Sequence, residues 1–137
     1  MFFKKDSTKT EKSFLVKTCA LLIYAAKIDE NYTKKEEEII KKTLLELGAK
    51  KETITQIMKG AKSIEENSNQ ILDFTKEVKN LSEVNKIKIV EALWSIIYSN
   101  KNADIYETNL MRRLSGLLYI DSKTMGNIKE KIKKKNL

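Results

Sequence analysis

Apolar residues recur along this chain at intervals of three and four, and the intervals break at a few polar stretches. Leu15, Cys19, Leu22 and Ala26 form one series and predict a helix from about Thr8 to Lys27. Thr8-x-x-Glu11 has the spacing of a capping box, in which hydroxyl and carboxylate satisfy free N–H groups of a first turn. A polar loop, Ile28 to Tyr32, leads to a second box, Thr33-x-x-Glu36. The helix it opens buries Ile40, Leu44 and Leu47 and ends at Gly48. After Lys50, Ile54, Ile57, Met58, Ala61 and Ile64 make an amphipathic stripe. Polar Glu65 to Gln70 separates it from a short helix, Ile71 to Val78. Ser82 caps the next, whose Ile87, Ile89, Val90, Leu93, Trp94, Ile97 and Tyr98 give the widest apolar face and predict a central position. A loop, Asn100 to Ala103, precedes a third box, Asp104-x-x-Glu107, and a helix turning Leu110, Leu114, Leu117 and Leu118 inward. Asp121 or Ser122 caps the last helix, which buries Met125, Ile128 and Ile132 and ends in lysines. No set of windows pairs into a sheet. The expected fold is all-α, a compact bundle of about seven helices.

Composition sharpens this picture mainly by exclusion. The 137 residues suit a single domain, with a core of about 8–132 and basic ends at 1–7 and 133–137. The absence of proline and the presence of only four glycines argue against a turn-rich β-sandwich. There is no histidine, which removes Ser-His-Asp triads, Cys-His dyads and histidine metal sites. One cysteine, Cys19, excludes an internal disulfide and suits a reducing cytoplasm. Its place within the apolar stretch Ser13 to Ala26 predicts a small buried hydrophobe. That stretch is shorter than the roughly 20 residues a bilayer span needs, and Lys17 interrupts it, so the expected protein is soluble and cytoplasmic, at most peripheral to a membrane.

The net charge of +8 resides at the ends. Residues 1–17 hold five lysines against two acids, and residues 129–137 five lysines against one. Lys129, Lys131, Lys133, Lys134 and Lys135 either complement the dipole of the last helix or form a patch for nucleic acid or an anionic membrane.

Two segments are alike. Tyr24 to Ile40 and Ile97 to Arg113 superpose when Glu36 is placed on Glu107, an offset of 71 residues that also brings Asp29 onto Asn100 and Thr33 onto Asp104. Each unit is an apolar helix, a polar loop and a boxed second helix, which predicts two helical hairpins around a pseudo-twofold axis. The loops do not make an EF-hand: its required glycine and glutamate positions hold Ile105 and Met111 in one copy, Lys34 and Ile40 in the other. Asp29, Glu36, Asp104 and Glu107 remain either helix caps or an acidic site for a divalent cation. Glu36 and Glu107 could also face each other as an acid–base pair. With no phosphate-cradling glycine loop and no nucleophile beside a base, however, the expected protein is not an enzyme.

Phe74-Thr75, Val90-Glu91-Ala92-Leu93-Trp94 and Tyr98 to Leu118 resemble the TerB-like tellurite resistance family, whose superfamily includes the N-terminal domain of the DjlA co-chaperone. The matching positions are Tyr98, Asp104, Tyr106, Glu107, Leu110, Met111, Arg112 and Arg113, with a looser echo at Ala25, Asp29, Glu36 and Ile40. The family's Asp-Gly pairs are Asp29-Glu30 and Asn100-Lys101 here, its first capping aspartate is Thr33, and a position often histidine is Asn109. The resemblance implies an all-helical domain with internal pseudosymmetry. It further implies a non-enzymatic interaction or scaffold module in tellurite-type stress response, responsive to a divalent cation and working with protein partners it does not identify. The alternative is a nucleic-acid or anionic-membrane binder using the basic termini.

Overall fold

The computed structural model describes residues 2–28, 32–67, 71–99 and 105–135, with the side chains of 14–28, 32–67, 71–99 and 108–135. Among the described residues seven helices follow one another: α1 (Phe2–Ala26), α2 (Lys34–Glu46), α3 (Ile54–Asn67), α4 (Leu72–Val78), α5 (Glu83–Tyr98), α6 (Ile105–Leu117) and α7 (Ser122–Lys135). No strand occurs among the described residues, and no helix there is long and apolar enough to cross a membrane.

Two helices share the centre. From Thr18 to Ala26, α1 is buried on nearly every side, and α5 is buried at Ile89, Val90, Leu93, Trp94, Ile96 and Ile97. A helix apolar around its circumference must be enclosed by others. Accordingly α1 packs against α2, α3, α4 and α5, while α5 packs against α1, α2 and α7. The central place predicted for the Trp94 helix alone is therefore held jointly with α1.

The ends of the helices follow local chemistry. Thr33 and Glu36 form the predicted box: the Glu36 N–H donates to Thr33 Oγ1 at 3.1 Å, and the Thr33 N–H donates to Glu36 Oε1 at 2.8 Å. Ser82 accepts from the Asn85 N–H at 3.3 Å. Of the two candidates for α7, Asp121 is the cap, accepting the Thr124 N–H at 2.7 Å and the Thr124 hydroxyl at 3.0 Å. The first helix corrects the reading: it begins at Phe2, so Thr8-x-x-Glu11 lies within it and does not open it. Residues 2–7 contain neither glycine nor proline, and an established helix propagates through such residues. Leu117, expected inward, is half-buried and packs against the core, and Met111 is a further buried residue of α6.

The repeat is larger than a hairpin. The 71-residue offset carries Ile54, Ile57 and Ala61 of α3 onto Met125, Ile128 and Ile132 of α7, all buried. Helix α3 packs on α1 as α7 packs on α5. Each copy thus has three helices, α1–α3 and α5–α7, and α4 is inserted between them. Even the turns agree. Helix α2 closes with Ala49 N–H donating to Leu44 O at 2.9 Å and Gly48 N–H to Leu45 O at 3.1 Å. Helix α6 closes with Ile120 N–H donating to Ser115 O at 3.0 Å and Tyr119 N–H to Gly116 O at 3.3 Å. Both are Schellman closures, which need a left-handed residue after the cap. Gly48 supplies it at φ +105°, and Tyr119 at φ +56°.

Candidate functional site

Of the four carboxylates singled out as a cation site, Glu36 is the one whose side chain is described. It is 1% exposed, lies on the inner face of α2 and is engaged in the Thr33 box. Asp29 and Asp104 lie outside the described residues, and Glu107 lies in α6 with its side chain outside them. Among the described residues no three carboxylates or thiols converge as a metal site would require. Near Glu36, the hydroxyl of Tyr32 is buried without a hydrogen-bond partner among the described residues. Burial, with smaller contributions from Glu37, Cys19 and Glu36, holds its proton on well beyond the ordinary phenol range.

Cys19 is fully buried, its Sγ 3.4 Å from Met58 Sδ. Burial pushes the thiol up to about 12, although Lys62 acts in the opposite direction. A thiol this far from ionising is not a nucleophile at neutral pH, in keeping with the small buried hydrophobe expected from its apolar surroundings.

The C-terminal lysines divide by environment. Lys129 is half-buried, with Nζ 5.5 Å from the centre of the Trp94 ring. Lys131 pairs with Glu91 at 3.5 Å. Lys133, Lys134 and Lys135 are exposed in the last turn of α7, where they complement its dipole. Two of the tyrosines beside the repeat loops serve packing: Tyr98 stacks on Trp94 at 5.8 Å, and Tyr24 tilts against Phe74 at 6.3 Å.

The feature that pattern reading missed is a groove between α4 and the end of α6. Leu72, Thr75, Lys76, Lys79, Leu117 and Tyr119 line a cleft of about 270 Å³. Leu72 is 49% exposed and Tyr119 is 69% exposed, so two large apolar side chains face water at one place. The amines of Lys79 and Lys86 stand 5.8 and 5.9 Å from the centre of the Tyr119 ring, within cation–π range. A left-handed backbone costs a non-glycine residue roughly 1–2 kcal/mol. Tyr119 is nevertheless held in it while contributing little to the core. One signal was available in advance: the repeat offset puts this tyrosine on Gly48. The groove offers cations, an aromatic face and aliphatic surface.

A family model described as tellurite resistance protein TerB matches residues 15–130. No curated protein and no solved structure matches the chain significantly. The matched span runs from the buried part of α1 into α7 and takes in both three-helix copies and the inserted α4. The chain therefore belongs to the tellurite resistance protein TerB family.

Proposed function

We propose that this TerB-family chain is a non-enzymatic interaction module of tellurite-type stress response that docks an acidic segment of a partner protein in the α4/α6 groove. The observation that carries the reading is Tyr119: a strained, exposed aromatic between two lysines, beside exposed Leu72. Strain of this kind persists where function requires the side chain. Lys76 and Lys79 would meet carboxylates, and Leu72, Leu117 and Tyr119 would receive one apolar anchor between them. A short fluorescein-labelled peptide with a single leucine flanked by glutamates tests this by anisotropy. Saturable binding should weaken by about tenfold in Lys76→Gln/Lys79→Gln and in Tyr119→Gly. Binding equal in both variants, or none in the wild type, rejects the groove. In cells, the same variants should reduce growth on tellurite if docking serves resistance.

Cation responsiveness belongs to the same reading and rests on Asp29, Glu36, Asp104 and Glu107. A calorimetric titration of chelator-treated protein with Ca²⁺, Mg²⁺, Mn²⁺ and Zn²⁺ tests it. Heat that saturates in the wild type and is lost in Asp29→Asn/Glu36→Gln/Asp104→Asn/Glu107→Gln supports the site, and silence with every ion leaves these residues as caps.

A second reading, the nucleic-acid or anionic-membrane binder, draws on the exposed run Lys133, Lys134 and Lys135. Ile132 is buried just before it, so cutting off the helix end would damage the core. Changing the three lysines to glutamine is the cleaner test, and binding to anionic vesicles or to single-stranded DNA should then disappear at low salt.

A further inference from the structure

The two copies differ most where the first helix of each meets its second and third. In the first copy the inner positions are Ile23, Leu44 and Met58, all buried. The offset of 71 replaces them with Trp94, Ser115 and Lys129. Ser115 and Lys129 are only half-buried, and a cleft of about 310 Å³ opens between α5, α6 and α7. Trp94 lies at its base, Met111 and Met125 add apolar wall, and Arg112 and Lys129 line the same cleft. No carboxylate among the described residues lines it. In the first copy the equivalents of Thr108 and Arg112 are Glu37 and Lys41, which pair with each other at 3.5 Å. With threonine in place of that glutamate, the charge of Arg112 has no acid at this position of the helix. Asp121, beside the rim, is occupied in capping α7. Trp94 is 2% exposed, and its indole N–H has no acceptor among the described residues.

We infer that the α5/α6/α7 cleft is a binding site for a small amphiphilic anion, an oxyanion carried on an aromatic or otherwise apolar body. Arg112 and Lys129 would hold the oxyanion, since two cations lining one cleft, with no carboxylate among its described lining residues, favour such a group. Met111 and Met125 would take the apolar body above the Trp94 base, because polarizable thioethers adapt to flat ligands. The volume is at the lower end of what small-molecule sites use. The site is separate from the α4/α6 groove and does not depend on the docking proposal.

Trp94 is the only tryptophan in the chain, so its emission reports directly on the cleft. The experiment titrates purified full-length protein with phenyl phosphate, inorganic phosphate and benzyl alcohol, following Trp94 fluorescence, with calorimetry on the same samples. Phenyl phosphate should bind saturably, and the two fragments should each bind about tenfold more weakly or worse. Lys129→Met, which installs the residue of the first copy, should weaken phenyl phosphate by about tenfold or more. Arg112→Gln, at an exposed position, should also weaken it and decides the matter if Lys129→Met does not fold. Lys134→Gln, on the same helix but outside the cleft, should bind like wild type. Absence of saturable binding, retention of full affinity in Arg112→Gln, equal loss in Lys134→Gln, or inorganic phosphate binding as tightly as phenyl phosphate would each overturn the assignment.

Discussion

Each half of this molecule joins an apolar first helix to a second and a third, with the third packed on the first, and each closes its second helix with the same turn. They fill equivalent positions with different chemistry. In the first half, Ile23, Leu44 and Met58 close the space between helices, and Gly48 takes the left-handed turn position. In the second half the same places hold Trp94, Ser115, Lys129 and a strained Tyr119. The backbone arrangement is thus insensitive to these substitutions, because the buried stripes of α1, α3, α5 and α7 carry it. What the second half gives up in closed packing, it presents as a cationic cleft and an aromatic groove. The difference separates scaffold from surface within one repeated design.

The largest expected effect tests whether both halves share one core. Trp94→Ala should cost about 3–5 kcal/mol, and the equivalent Ile23→Ala about 2–5 kcal/mol, by urea denaturation. A near-neutral Trp94→Ala would mean that the indole is a rim residue and that the second half is not built like the first. Next come the turns. Gly48→Ala should lose about 1–2 kcal/mol at a backbone angle that disfavours side chains, whereas Tyr119→Gly should gain up to about 1 kcal/mol. Opposite signs from one turn position would show that tyrosine is kept there at the expense of stability. A loss in Tyr119→Gly would instead make the tyrosine a packing residue. Smaller again is the cap of α2: Thr33→Ala should lose about 1 kcal/mol in thermal or chemical melts.

The smallest effect is a pH dependence in the second half. Hydrogen bonds from the Thr124 N–H and, secondarily, its hydroxyl hold the Asp121 carboxyl below its ordinary 3.8. A carboxylate whose folded value is depressed stabilises fully above its unfolded value and loses that contribution as pH falls through the folded one. Melting temperatures of wild type and Asp121→Ala should therefore differ at neutral pH and converge in acid. A gap that persists unchanged in acid would exclude the ionised cap as its cause.

Much of this was legible in the residues. The box at Thr33, the cap at Ser82 and the stripes of α3 and α7 are local signals, read within a turn or two of the chain. The start of α1 was not, because a box predicts a helix start only where something stops the helix before it, and residues 2–7 contain no stop. The third helix of each repeat escaped notice because α3 and α7 share the spacing of their buried positions but few residues. The groove and the cleft arise where α4 meets α6, and where α5, α6 and α7 converge, so nothing local encodes them. Only a tyrosine standing on a glycine, and a lysine standing on a methionine, mark them in the alignment of the copies. Of the carboxylate quartet, Glu36 was read both as a capping-box residue and as a candidate cation ligand; the structure shows the box and adds that the residue is buried.

Amide chemical-shift mapping of the full-length chain with the glutamate-flanked leucine peptide is the most direct test of the claim that this domain works by docking through the α4/α6 groove. The account predicts shifts centred on residues 72–79 and 116–119, growing to saturation and abolished by Lys76→Gln/Lys79→Gln. Shifts centred on the equivalent turn around Gly48, shifts confined to the lysines ending α7, or an unperturbed spectrum would contradict it.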